Sequence, residues 1–115
     1  MSDLKKMNLK NLPLKSSEIV LLKGFGNYTW IYLANGTKHL LCKTMHTILN
    51  EFPEMAFLRT HKSYSVNPDF LLYQANQHRN DLILTNGLVA EVSRRKRKEI
   101  LSTINLIKYA QTNLQ

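Results

Sequence analysis

Between Phe57 and Leu71, cationic and apolar side chains are interleaved: Arg59, His61 and Lys62 are set among Phe57, Leu58, Tyr64 and Val66 before Asn67-Pro68-Asp69 turns the chain. Such alternation anchors a backbone on one side and presents donors on the other, which is how an anion-binding surface is built. A second basic element follows at Val92-Ser93-Arg94-Arg95-Lys96-Arg97-Lys98. Five consecutive cations sweep through more than one helical revolution, so they cannot share a face and some are plain solvated surface. Arg94 and Arg95 are the stronger candidates, while Lys96, Arg97 and Lys98 read equally well as solvent-facing. Cations at a helix start each cost about 0.3 to 1 kcal/mol. An arriving phosphate reverses that cost by meeting backbone N–H groups and guanidinium forks together.

These residues need a scaffold, and the chain reads as mainly β. Residues 4–15 alternate weakly and carry Lys5, Lys6, Lys10 and Lys15, as a lysine-protected edge strand or a solvated tail. Ile19 to Lys23 is a β-type run ended by a turn over Gly24-Phe25-Gly26-Asn27. Tyr28 to Leu33 places Tyr28, Trp30 and Tyr32 on one face and Thr29, Ile31 and Leu33 on the other. An aromatic face of this kind is more often core than platform. Asn35-Gly36 predicts a type I′ hairpin to a partner strand, His39 to Lys43.

From Thr44 the period becomes helical, with Met45, Ile48, Leu49 and Phe52 on one stripe, Thr44 as cap and Pro53 closing. The Phe57 stretch follows as a strand entering a turn, then Phe70 to Ala75 as another strand. Asp81 to Thr85 and Leu88 to Val92 flank Asn86-Gly87 as a second hairpin, and Ser93 caps a final helix with apolar Ile100, Leu101, Ile104 and Ile107. The count is six or seven strands and two short helices in one domain, residues 8–107, between tails 1–7 and 108–115.

The chain has 115 residues, 43% of them hydrophobic, and sixteen Lys and Arg against eight acids give a formal charge of +8. A pI near 9.8 favours a polyanionic partner through counterion release. The lone Cys42 precludes an intramolecular disulfide, and the sequence shows neither a signal-peptide core nor an apolar run long enough to span a membrane. The expectation is a cytoplasmic protein without membrane insertion. An enzyme is disfavoured: Cys42 is predicted on a strand within a hydrophobic run, as core rather than nucleophile, and His39, His46, His61 and His78 have no ligand spacing. Gly24-x-Gly26 lacks the third glycine and the context of a dinucleotide loop, and no acid orients Ser63 and His61. No cofactor is expected. Among loop residues, Asn27, Lys62 and Arg94 have the chemistry to read base edges, although spacing alone does not select them.

The pattern Phe57-x-Arg59-x-His61-Lys62-Ser63-Tyr64-x-Val66-Asn67, followed by Val92-Ser93-Arg94-Arg95 and preceded by Gly26-Asn27-Tyr28, resembles the LytTR-type DNA-binding domain of bacterial transcription regulators, over residues 8 to 104. The resemblance implies an elongated antiparallel β fold that sets loops into successive major grooves and bends the DNA. It further implies base contacts from Asn27, Lys62 and Arg94, with Lys43, Arg59, His61, Ser63, Arg95 and Lys96 near phosphates or bracing the loops. Lys23 stands where an acidic residue is frequent, Ser65 where an aliphatic one is usual, and Glu91 where proline is common.

Family members often carry a receiver domain, and this chain resembles the stand-alone class. The resemblance then implies duplex DNA with direct repeats, a homodimer formed on it, and control by abundance or by a separate sensory or inhibitory protein. Two alternatives use the same residues. One is a single-stranded RNA or DNA module stacking bases on Tyr28, Trp30 and Tyr32. The other is a protein-interaction module that has kept the fold without DNA binding.

Overall fold

The structure, a computed structural model, describes residues 16–51, 53, 56–72 and 81–113. The edge strand or tail expected over residues 4–15 lies outside them. A short 3₁₀ turn, Ser16–Glu18, leads into β1 (Ile19–Phe25), β2 (Tyr28–Leu33) and β3 (Lys38–Leu41), an antiparallel meander. β1 runs through Gly24 and Phe25, so the first turn is shorter than its sequence predicts: only Gly26, at φ +58°, and Asn27 connect the strands. The two Asn-Gly pairs behave differently. At the first, residues 34–37 form a longer connection in which only Gly36 has positive φ, and the Asn35 side-chain oxygen accepts from the Thr37 N–H at 2.9 Å. This corrects the type I′ expectation there. At the second, Asn86 and Gly87 take φ +64° and +71°, and the Leu88 N–H closes on the Thr85 carbonyl, as that turn type requires.

Two cores account for the apolar pattern. Ile19, Leu22, Ile31, Leu33 and Leu41 pack against Met45 and Ile48 of α1 (Met45–Glu51). The helix starts where predicted, with the Thr44 hydroxyl accepting from the Thr47 N–H. Phe52, the last stripe position, lies outside the described residues. Val20 and Leu21 face the other side, because a bulge between Ile19 and Leu21 shifts the alternation. The expectation that Tyr28, Trp30 and Tyr32 form core holds only for Tyr32, which packs half-buried against the second core. Thr29, Ile31 and Leu33 are the buried set on β2, while Tyr28 is exposed and Trp30 and Tyr32 are half-buried.

The Phe57 stretch is a hairpin rather than one strand: β4 (Leu58–His61) turns at Lys62-Ser63 into β5 (Tyr64–Val66). β5 pairs with β1, giving a five-stranded sheet in the order β3-β2-β1-β5-β4. Asn67 locks this pairing, its amide donating to the Ile19 carbonyl at 2.8 Å while its oxygen caps the 3₁₀ turn Pro68–Phe70. A three-stranded sheet follows, β6 (Leu71–Leu72), β7 (Asp81–Leu84) and β8 (Val89–Glu91), with β7 in the middle. The rest of the strand predicted to Ala75 lies outside the described residues.

α2 (Arg97–Asn113) closes the second core with Ile100 and Ile104, whereas Leu101, predicted on the same stripe, is 42% exposed. It runs seventeen residues, into the stretch read from sequence as a tail. Ser93 has the extended backbone of a cap, but its side chain makes no capping bond. A 3₁₀ turn, Arg94–Lys96, comes first, and the Arg97 N–H donates to the Arg94 carbonyl.

Candidate nucleic-acid interface

One end of the large sheet collects the basic residues, and backbone register explains why. β1 ends at Phe25, and β5 starts beside it with Lys23 opposite Tyr64. The Gly24 N–H donates to the Ser63 carbonyl at 2.7 Å, which fixes the Lys62-Ser63 turn next to the Gly26-Asn27 turn. On the far side of β2, the Thr29 hydroxyl donates to the Lys43 carbonyl at 2.8 Å, so the exit from β3 arrives at the same end.

The run at residues 94–98 is brought here by β4. Thr60, fully buried, donates its hydroxyl to the Glu91 carbonyl at 2.8 Å and accepts the Ser93 N–H on its own carbonyl at 2.8 Å. Lys96 then reaches back, its ammonium 3.0 Å from the Arg59 carbonyl. The two basic elements are therefore stitched by three bonds spanning more than thirty residues of sequence.

Within the β4–β5 hairpin the cations also do structural work. The Arg59 guanidinium donates to the His61 carbonyl at 3.0 Å and to the Lys62 carbonyl, holding both residues from inside the turn. His61 Nδ1 accepts the Ser63 N–H at 3.1 Å, and its ring meets Tyr64 edge-on at 5.8 Å. Lys23 places its ammonium 5.6 Å from the centre of the Tyr64 ring. That contact gives a lysine a use at a position where the family pattern favours an acid. Lys62, at the apex, is exposed.

The outcome is an open cleft of about 630 Å³ lined by Arg59, His61, Lys62, Ser93, Arg95, Lys96 and Glu99. Five of the residues singled out in the sequence thus meet in one place. Arg94 is exposed on the same turn as Arg95, Asn27 is exposed at the tip of the β1–β2 hairpin, and the Ser63 backbone joins the two hairpins. Lys43 stands apart: its ammonium is ion-paired with both carboxylate oxygens of Glu51, which ties the β3 exit to α1.

Two residues of the site escaped the sequence reading. Thr60 as a brace is visible only as a contact between distant segments, and Glu99, the single acid in the cleft, sits in the first turn of α2 where the helix dipole favours it. Ser65 fills its aliphatic position by hydrogen-bonding: it is fully buried, with its hydroxyl 3.1 Å from the Met45 sulfur. Glu91 keeps its side chain exposed and contributes its carbonyl to Thr60. Among the described residues, no cluster of His, Cys, Asp or Glu could hold a metal ion, and no helix is long and apolar enough to cross a membrane.

The sequence matches the LytTr DNA-binding domain over residues 10–105. Four chains of solved structure match. One is the LytTr DNA-binding domain of a protein described as a methyl-accepting/DNA response regulator from Bacillus cereus. It aligns with a TM-score of 0.64 and 17% identity, covering 88% of this chain and 94% of that one. The mostly antiparallel sheets and two helices are the architecture of that domain. A comparison with curated proteins gave no match.

Proposed function

The chain belongs to the LytTr DNA-binding domain family, and on that premise we propose that it is a sequence-specific regulator of transcription that reads duplex DNA with three turns. The family is one of DNA binding rather than catalysis. The observation that carries the proposal is the stitching of the β4–β5 hairpin to the start of α2 by Thr60 and Lys96. It ties the hairpin that carries Lys62 to the turn that carries Arg94, with Asn27 on the adjoining hairpin. In this reading Asn27, Lys62 and Arg94, all exposed, meet base edges in successive major grooves. Arg95 lies against phosphates, with His61 at the cleft wall, and Arg59, Ser63 and Lys96 brace the turns. Lys43, paired with Glu51, belongs with the braces.

Two protomers on a direct repeat would each add their own phosphate contacts, and a separate sensory or inhibitory protein would supply control. The setting is the cytoplasm, where the DNA is.

The test is selection of bound duplexes from a random pool at near-physiological salt, followed by a salt titration on the selected sequence. A recurring motif, with log K falling steeply against log salt, is the expected result. No motif, with weak retention that vanishes as salt rises, would reduce the +8 charge to non-specific attraction.

A further inference from the structure

Phe25 and Tyr28 are opposite one another at the tip of the β1–β2 hairpin, on either side of Gly26-Asn27, and are 65% and 41% exposed. Two large rings this exposed at a two-residue turn leave much of their apolar surface unburied. Their direction is set by the strand: a Cβ on Gly24 would lie 3.5 Å from Met45, on the α1 side, so Phe25 points to the opposite face. Lys23, two residues back on that face, lies over Tyr64, and Tyr64 meets His61 of the basic cleft. The ring pair therefore extends the cationic band at its hairpin end.

We propose that Phe25, supported by Tyr28, is a specificity contact for the 5-methyl group of a thymine in the major groove. This rests on the duplex-reading function above. A major groove offers one apolar group among its donors and acceptors, the thymine methyl. Asn27 between the two rings has the amide that pairs with adenine N6 and N7, so the turn that selects adenine brings an A·T pair, with its methyl, under the same tip. Trp30 and Tyr32, further along the face, are half-buried and already covered by the Lys38 ammonium at 4.4 and 5.8 Å from their ring centres. The uncovered rings are those at the tip, which suits a groove contact rather than a strand stacked along the sheet.

The experiment uses the full chain and its selected duplex, with each thymine replaced in turn by deoxyuridine, which removes only the methyl. Wild-type protein should lose about four-fold in affinity at one or two positions, the worth of one buried methyl-sized group. Phe25→Ala should bind about ten-fold more weakly, keep the wild-type melting temperature and salt slope, and no longer respond to deoxyuridine at those positions. If no position is sensitive in the wild type, or if Phe25→Ala keeps the full penalty, the proposal is overturned while duplex recognition stands. If selection yields no motif at all, the duplex reading itself fails and takes this contact with it.

Discussion

Arg59 and Arg94 carry the same guanidinium into the same end of the molecule, yet they are used in opposite ways. Arg59 is half-buried and spends its donors on the carbonyls of His61 and Lys62. Arg94 is exposed on a 3₁₀ turn, with its backbone carbonyl engaged by Arg97. The one builds the turn that presents Lys62, and the other is presented. A basic surface thus contains two populations, cations that fix backbone and cations free to meet a partner, and net charge counts both alike.

The sharpest way to break this comparison is Arg59→Ala. It removes two charge-assisted bonds, so it should destabilise the fold by about 2 to 3 kcal/mol and weaken binding to every duplex together. Arg59→Lys should rescue little, because an ammonium lacks the fork that reaches both carbonyls. Denaturant unfolding decides it: a wild-type midpoint for Arg59→Ala would mean that the turn holds without it. Arg94→Ala should do the reverse, leaving unfolding unchanged while costing about 1 to 3 kcal/mol on the selected duplex and relaxing preference at one position. An equal small loss on all sequences would move Arg94 among the phosphate contacts.

Thr60→Val tests the stitch itself. It leaves the Glu91 carbonyl without its donor at a cost of about 1 kcal/mol, and should loosen the Arg94 turn, seen as faster amide exchange at Ser93. Unaltered exchange there would show that the backbone bond from Ser93 suffices. The smallest effect belongs to Lys43. Its ion pair with Glu51 is worth about 0 to 1 kcal/mol, and Lys43→Ala should leave the salt slope of DNA binding unchanged. Arg95→Ala should lower that slope by about 0.9. Equal slopes for the two variants would mean that Lys43 leaves Glu51 for a phosphate.

How much of this was legible in the sequence depended on whether the signal was local. The Asn86-Gly87 turn, the Thr44 cap and the alternation of β2 are decided within a few residues, and each could be read. The identical pair Asn35-Gly36 could not, because the Gly36 N–H closes on the Leu33 carbonyl, the Leu33 N–H donates to the Thr37 carbonyl, and the Asn35 side chain satisfies the Thr37 N–H, which makes a longer loop. The β4–β5 hairpin was hidden for a different reason. Lys62-Ser63 lacks the Gly or Asn that marks a two-residue hairpin, and the turn is held from within by the Arg59 guanidinium and the His61 ring. Ring size suggested that the aromatic face of β2 is the core side, whereas the fully buried face carries Thr29, Ile31 and Leu33 and, of the three rings, Tyr32 packs against the second core. As for the candidate site, its cations were nameable by type. Which of them brace and which are free follows from partners far along the chain, such as Glu91 for Thr60 and Arg59 for Lys96.

The bond from Asn67 to Ile19 spans 48 residues, and it fastens β5 to a strand whose other partner, β2, is its immediate neighbour. Strands β1 to β3 can therefore zip locally and fast, whereas β5 must first close a long loop, with the loss of chain entropy that slows non-local pairing. Of the end proposed to read DNA, the turns carrying Lys62 and Arg94 wait for this closure, while the Asn27 turn forms with the first hairpin. During synthesis, the first three strands emerge without it, so a nascent chain carries part of its positive charge before it has the complete surface to discriminate one sequence from another.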